Sequence, residues 1–182
     1  ASTFIALYHT RTQLDRHGRE RLEETARSLA SSLYERLFIL RAEMRVLAEH
    51  VDPSRMSRGS AFASISRRDY AVRFRGLAMM TAERKLQDLA GSIRSIPDIT
   101  PEQHEHLMRD EAVLAWERRG TETSMYMILR ARAPLETSGL LIAEIQPEYL
   151  LSASEGLPPF TDFAIMDPLK RVLLHSSPRV AE

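Results

Sequence analysis

The sequence predicts an α+β fold: a long N-terminal helix packed on an antiparallel five-stranded sheet, followed by one further hairpin. Three observations carry this. From about Thr12 to Val51, apolar residues recur at helical spacing with no proline among them. The rest of the chain breaks into short runs of strand-forming residues with only one helix among the first five, which favours antiparallel pairing over a doubly wound sheet. The sequence also lacks both common glycine-rich phosphate loops, which removes the usual signature of the doubly wound alternative.

The helix stripe is Leu22, Leu29, Leu33, Leu37, Leu40, Met44, Leu47 and Val51, at steps of three, four or seven. Arg19, Glu23, Arg27, Glu35 and Arg41 lie opposite, with Arg19/Glu23 and Glu23/Arg27 spaced for i,i+4 pairing. Gly18 weakens the helix by about 1 kcal/mol relative to alanine. The helix ends near His50, because Pro53 disfavours helical geometry at Asp52. About 40 residues at 1.5 Å each give roughly 60 Å, longer than a small domain is wide. Such a helix projects, dimerises, or serves more than one unit as a spine.

A polar connector follows, "DPSRMSRGSAFASISRRD", with Phe62 and Ile65 expected to pack back as a short helix. "RFRGLAMMT" and "KLQDLAG" read as a first hairpin. "TPEQHEHLMRD" reads as a helix with Thr100 at its N-cap and Pro101 at its first position. "EAVLAWER", "SMYMILRARA" and "GLLIAEI" read as three strands separated by "RGTETS" and "PLETSG". "PEYLLSASEG" reads as a short helix begun by Pro147, and "FAIMDPLKRVLLHSS" as a last hairpin. A lone hairpin is marginal in water, so it needs other elements to cover it. It also echoes "LAMMTAERKLQDLAGS": Leu77–Met80 fall on Phe163–Met166, and Arg84, Lys85 and Leu86 on Lys170, Arg171 and Val172. Two copies of one supersecondary unit would produce such an echo, and so would two unrelated apolar hairpins.

Composition excludes several function classes. The 182 residues are 43% hydrophobic and 27% charged, which suits a folded domain. Net charge is zero, so no global field recruits nucleic acid or an anionic membrane. Cysteine is absent, and with it disulfides, thiolate metal sites and cysteine nucleophiles. No run of about 20 apolar residues is present, and "STFIALY" fits either the outer end of a transmembrane helix or a plain helix start.

Catalytic chemistry finds little support. His104 and His106, two apart on a helix, face different ways and make a poor metal pair. His50 beside Glu49 and Asp52 sits at a helix C-terminus, where the dipole favours a cation without any site. No nucleophile motif appears, and neither a cofactor nor a metal is implied. Arg55 to Arg75 holds six arginines against Asp69, but no aromatic pattern accompanies them, which fits a solvated loop better than a nucleic-acid surface. Recognition chemistry is best placed on the middle strands. Period two puts Met125, Met127, Leu129 and Ala131 on one face, and Tyr126, Ile128, Arg130 and Arg132 on the other. Trp116 and Arg118 alternate on the preceding strand. Convergence of Trp116, Arg118, Tyr126 and Arg130 on one concave face would hold a small carboxylate or another anion. The same pattern fits solvated arginines and a core tryptophan.

The arrangement resembles the Cache branch of PAS-like extracellular sensor domains, in which a long helix lies along two stacked five-stranded units. "RFRGLAMMTAERKLQDLAG", "EAVLAW", "YMILRARA" and "GLLIAEIQPEYLL" look like the strands of the first, membrane-distal unit. "LPPFTDFAIMDPLKRVLLHSS" looks like the crossing into a second, membrane-proximal one. The family often carries Asp-x-x-Gly at these turns; here Asp167 is present and Lys170 stands in the glycine position. The Arg-Trp-Tyr cluster of amino-acid-binding members has no counterpart, so the resemblance does not extend to amino-acid sensing.

The resemblance implies residues 1–52 as a signalling and dimerisation helix, 53–156 as a PAS-like sensor unit, and 157–182 as the start of a second unit packing against the long helix. It implies the periplasmic sensor of a membrane-anchored signal transducer with a small-molecule ligand, a homodimer through the N-terminal helix, and no enzyme activity in this domain. The output domain would be a diguanylate cyclase or phosphodiesterase, a histidine kinase, or a chemoreceptor tail. The alternatives are a cytosolic PAS- or GAF-like regulatory module and a small α+β enzyme.

Overall fold

The leucine spacing of the N-terminal region is realised as one helix, α1, Ser2–His50. It begins earlier than the leucine stripe because residues 2–11 contain neither proline nor glycine to stop it. The computed structural model describes residues 2–50, 67–81, 83, 85–93, 95–120, 122–131, 139–152, 162–167 and 169–176, and the side chains among them except those of 2–17, 50, 67–69 and 119. The expected packing of Phe62 and Ile65, the "PLETSG" turn and the placement of Arg132 fall outside the described residues.

After α1 come α2 (Arg67–Arg73), β1 (Phe74–Met80), β2 (Leu86–Gly91), α3 (Pro101–Met108), β3 (Val113–Arg119), β4 (Glu122–Ala131), β5 (Gly139–Ile145), α4 (Pro147–Leu151), β6 (Ala164–Met166) and β7 (Val172–His175). The first five strands form one sheet in the order β2-β1-β5-β4-β3, every pairing antiparallel. The α+β expectation therefore holds. Helix α2 is an addition to the sequence reading, which ended the connector there. It forms because Tyr70 stacks on Phe74 at 5.1 Å between ring centroids and packs against the main core.

The two sheet faces are covered differently. On one, Leu40, Met44, Leu47 and Ala48 of α1 are buried with Leu77, Met127, Leu141 and Ala143, and Leu33 and Leu37 flank them. Each buried Leu or Met among them contributes about 1.5–3 kcal/mol by leaving water. On the other, Ala78, Val113, Ala115, Tyr126, Ile128 and Ile142 are buried beneath Leu107 of α3 and Ile93 from the segment after β2. Gly91 closes β2 with φ +62, and a Cβ there would stand 2.5 Å from the Arg75 carbonyl oxygen, so the edge turn admits only glycine without a shift.

The last hairpin forms a separate two-stranded sheet, with Ile165 opposite Leu174. It is not isolated. Strand β7 meets β4, and Leu174 packs against the core layer between sheet and α1. Helix α4 is tied to α1 by Arg36, which donates to the Tyr149 carbonyl at 2.9 Å and the Ser152 hydroxyl at 2.8 Å and lies over the Tyr149 ring. Arg73 pairs with Glu43 at the same junction.

Candidate ligand-binding site

Helix α3 is built by local rules and then fixed in place. The Thr100 hydroxyl accepts from the Gln103 amide, and the Gln103 side chain accepts from the Thr100 amide at 2.9 Å, a reciprocal cap with Pro101 following. The same Gln103 donates through Nε2 to the Leu114 carbonyl on β3 at 2.9 Å. At the far end Asp110 adopts φ +65, and its carbonyl accepts from Arg45 of α1 at 3.0 Å. One helix thus lies over the sheet face opposite α1, and its end is also bonded to α1.

Between α3 and that face lies an open cavity of about 930 Å³. Its lining is mainly apolar (Met80, Ile96, Leu107, Met108, Leu140), with Arg130, His104 and Asp98 among the polar groups. Arg130 is half-buried, and its guanidinium draws no hydrogen bond or ion pair among the described residues. A part-buried, uncompensated cation beside an apolar hollow is matched by an anionic group on a ligand.

The remaining expected site residues are not brought to Arg130. Ala115 pairs with Tyr126 and Trp116 with Met125, so Trp116 and Arg118 stand on the α1 side of the sheet, while Tyr126 and Arg130 stand on the α3 side. Convergence of all four on one face is thereby corrected, the pairing register being what separates them. Trp116 packs against the α1-side core. With Arg118 it lines a smaller cavity of about 280 Å³ toward β7. Tyr126 is fully buried, four residues from Arg130 along the strand, and its hydroxyl lies 3.1 Å from Ser95 Oγ, which also bonds Glu117.

Beside Tyr126, on the same face, the sequence reading missed Glu144. It is 1% exposed; Ser124 donates to its Oε1 at 3.0 Å, and Arg75 approaches at 3.6 Å while bonding Glu122 at 2.8 Å. The bond to Glu122, opposed by burial, holds the Arg75 guanidinium above its ordinary value. Oε2 of Glu144 is buried with no hydrogen-bond partner among the described residues. The only advance signal was a charge inside the apolar run "LLIAEI".

His104 lines the large cavity, while His106 is bonded to Glu111 at 2.5 Å and turned to another side. That bond, against a small effect of burial, holds the Glu111 carboxyl below its usual range. No group of His, Asp and Glu among the described residues is placed to hold a metal ion. No helix among them is long and apolar enough to cross a membrane.

No protein-family model and no curated protein matches the chain. Solved structures do. The ligand-binding domain of the Pseudomonas aeruginosa PAO1 amino acid chemoreceptor PctB in complex with L-Arg superposes with a TM-score of 0.61 at 12% identity, over 88% of this chain and 66% of that one. The corresponding PctC domain in complex with GABA gives 0.60 at 15% identity, over 86% and 74%. PctB with L-Gln gives 0.55 at 12%, over 83% and 65%. The chain thus spans about two thirds of the PctB domain. At these identities the likeness is one of fold: the long helix and five-stranded antiparallel sheet are arranged as in these chemoreceptor ligand-binding domains.

Proposed function

We propose that this chain is the ligand-sensing part of a membrane-bound signal transducer, and that a small molecule carrying a carboxylate or similar anion binds in the cavity beneath α3. The observation that carries the ligand assignment is Arg130, half-buried at a 930 Å³ hollow without a partner among the described residues. The fold shared with chemoreceptor ligand-binding domains supports the sensing role. Residues 53–156 act as the sensor unit and 157–182 open a second, membrane-proximal one. The parent protein is membrane-anchored, with this part outside the cytoplasm.

Transmission runs through α1. A ligand that closes α3 on the sheet pulls on the Asp110 carbonyl, which is bonded to Arg45 of α1. Ligand binding biases the helix between two arrangements only to the extent that it favours one of them. A second copy pairing along α1 would turn that bias into a relative movement of two helices.

The test is a thermal-shift screen of the chain against small mono- and dicarboxylates. A ligand at a hundred times its Kd contributes about 2.7 kcal/mol, which for this size raises Tm by roughly 5–10 °C. Arg130→Ala should weaken such a ligand roughly ten- to a hundredfold, because a charge-assisted pair is lost. Full stabilisation of the variant by every carboxylate that stabilises the parent chain would exclude this site. The location outside the cytoplasm is checked with a reporter active only there, fused after residue 182 of the full-length gene.

A further inference from the structure

We infer a second anion site, at the seam where the last hairpin meets the sheet. The 280 Å³ cavity there is lined by Trp116 and Arg118 from β3, Thr123 from β4, and Arg171, Val172 and Leu173 at β7, with Asp98 and Thr100 at its rim. One arginine, Arg118, comes from the five-stranded sheet, and the other, Arg171, from the turn that leads into β7 of the small sheet. Each spends only its Nε on the protein: Arg118 donates to the Gly120 carbonyl at 3.1 Å, and Arg171 to Oδ2 of Asp167 at 2.5 Å. Among the described residues the terminal nitrogens of both draw no other bond, which leaves two guanidinium forks at one hollow. Asp98 is the only carboxylate among the described lining residues, and Asp167 holds Arg171 from outside the lining, so the free terminal nitrogens rather than a net charge are what suit an anion here.

Strand β3 adds a donor. It is an edge strand, and its Leu114 carbonyl points away from β4, since it accepts from Gln103. Two residues on, Trp116, which lines the cavity, turns its amide to the same free edge. Two guanidiniums and an amide around such a volume suit a small oxyanion, either a carboxylate or a phosphate. Bridging Arg118 and Arg171, it would remove their mutual repulsion and fasten the hairpin to the sheet. The site does not rest on the cavity beneath α3, whose arginine is Arg130.

Trp116 is the sole tryptophan, so its emission reports on this cavity directly. The full chain is titrated with inorganic phosphate and, separately, with succinate, sodium chloride holding ionic strength constant. A saturable change in emission with either probe is expected, the tighter probe identifying the oxyanion. Arg118→Gln and Arg171→Gln, each checked for native circular dichroism, should weaken it at least tenfold, and Arg118→Lys by less. Arg130→Ala should leave it unchanged. The site is overturned if neither probe gives a saturable change, if Arg118→Gln folds and binds as before, or if Arg130→Ala abolishes the signal. A thermal shift that Arg130→Ala removes while Trp116 emission stays silent would leave the α3 cavity standing and sink this site alone.

Discussion

Lys170 holds a backbone conformation that ordinarily belongs to glycine, φ +62, at the turn between β6 and β7. The turn tolerates it because Asp167 anchors both sides: its carbonyl accepts from the Lys170 amide at 2.9 Å, and its carboxylate accepts from the Arg171 amide at 2.8 Å and from Arg171 Nε. Burial pushes the Asp167 carboxyl up, but the bonds from Arg171 outweigh it and hold the group below its ordinary value. Left-handed geometry costs a lysine about 1–2 kcal/mol, and glycine returns part of that advantage through its looser unfolded chain. Lys170→Gly should therefore stabilise the hairpin by about 0.5–1 kcal/mol. Amide exchange in β7 should slow roughly two- to fivefold by that difference; unchanged or faster exchange would show that the Lys170 side chain matters more than its backbone. The strain was legible in the sequence, since Asp167 occupies the first place of a turn whose fourth wants glycine. Glu144 was not: a single charge in an apolar strand says nothing of the Ser124 and Arg75 that meet it from other strands.

At the scale of elements, what local chemistry decides was legible and what pairing decides was not. Helix α3 could be bounded from Thr100, Pro101 and Gln103 because its cap is closed by residues three apart. Strands β1, β2, β4 and β5 followed from runs of apolar and branched residues between breakers. The face taken by Trp116 depends instead on the count of residues in the β3–β4 turn. Arg119 pairs with Glu122, which leaves only 120 and 121 between the strands, fewer than the "RGTETS" turn expected. An even loop matches even-numbered Trp116 with odd-numbered Met125; an odd one would have carried it and Arg118 to the side of Tyr126 and Arg130. One parity thus separates a single four-residue site from two cavities on opposite faces. Helix α2 escaped for a related reason, since only the packing of Tyr70 against the core shows why seven residues of a polar connector should coil.

Across the whole molecule, the dominant dimension is that of α1. Its 49 residues run roughly 74 Å, whereas the longest strand, β4, with 10 residues spans roughly 33 Å, so much of the helix extends past the sheet. Within the part that does cross the sheet, Leu40, Met44 and Leu47 turn inward. Tyr34 and Phe38, four residues apart, lie on the opposite side and are 72% and 58% exposed, while Ala42 and Val46 line an apolar hollow beside Tyr70 and Phe74. Toward the N-terminus the inward stripe itself emerges, Leu22 being 62% exposed. A helix apolar on the side away from its own core is suited to a second helix of the same kind. The pairing proposed for signalling would run along Tyr34 and Phe38, so that one copy's Phe38 is buried against the other. Placing a carboxylate there costs the apolar contact and strands a charge, together several kcal/mol counted over both copies. Phe38→Glu should thus shift sedimentation at micromolar concentration from a two-chain mass to a one-chain mass. Because Phe38 is largely exposed and belongs to neither core cluster, circular dichroism and the Arg130-dependent thermal shift should survive the change. A parent chain that sediments as one copy at every concentration, or a Phe38→Glu variant that still sediments as two, would remove this face from the dimer. Signalling would then have to pass through α1 of a single copy or through another surface.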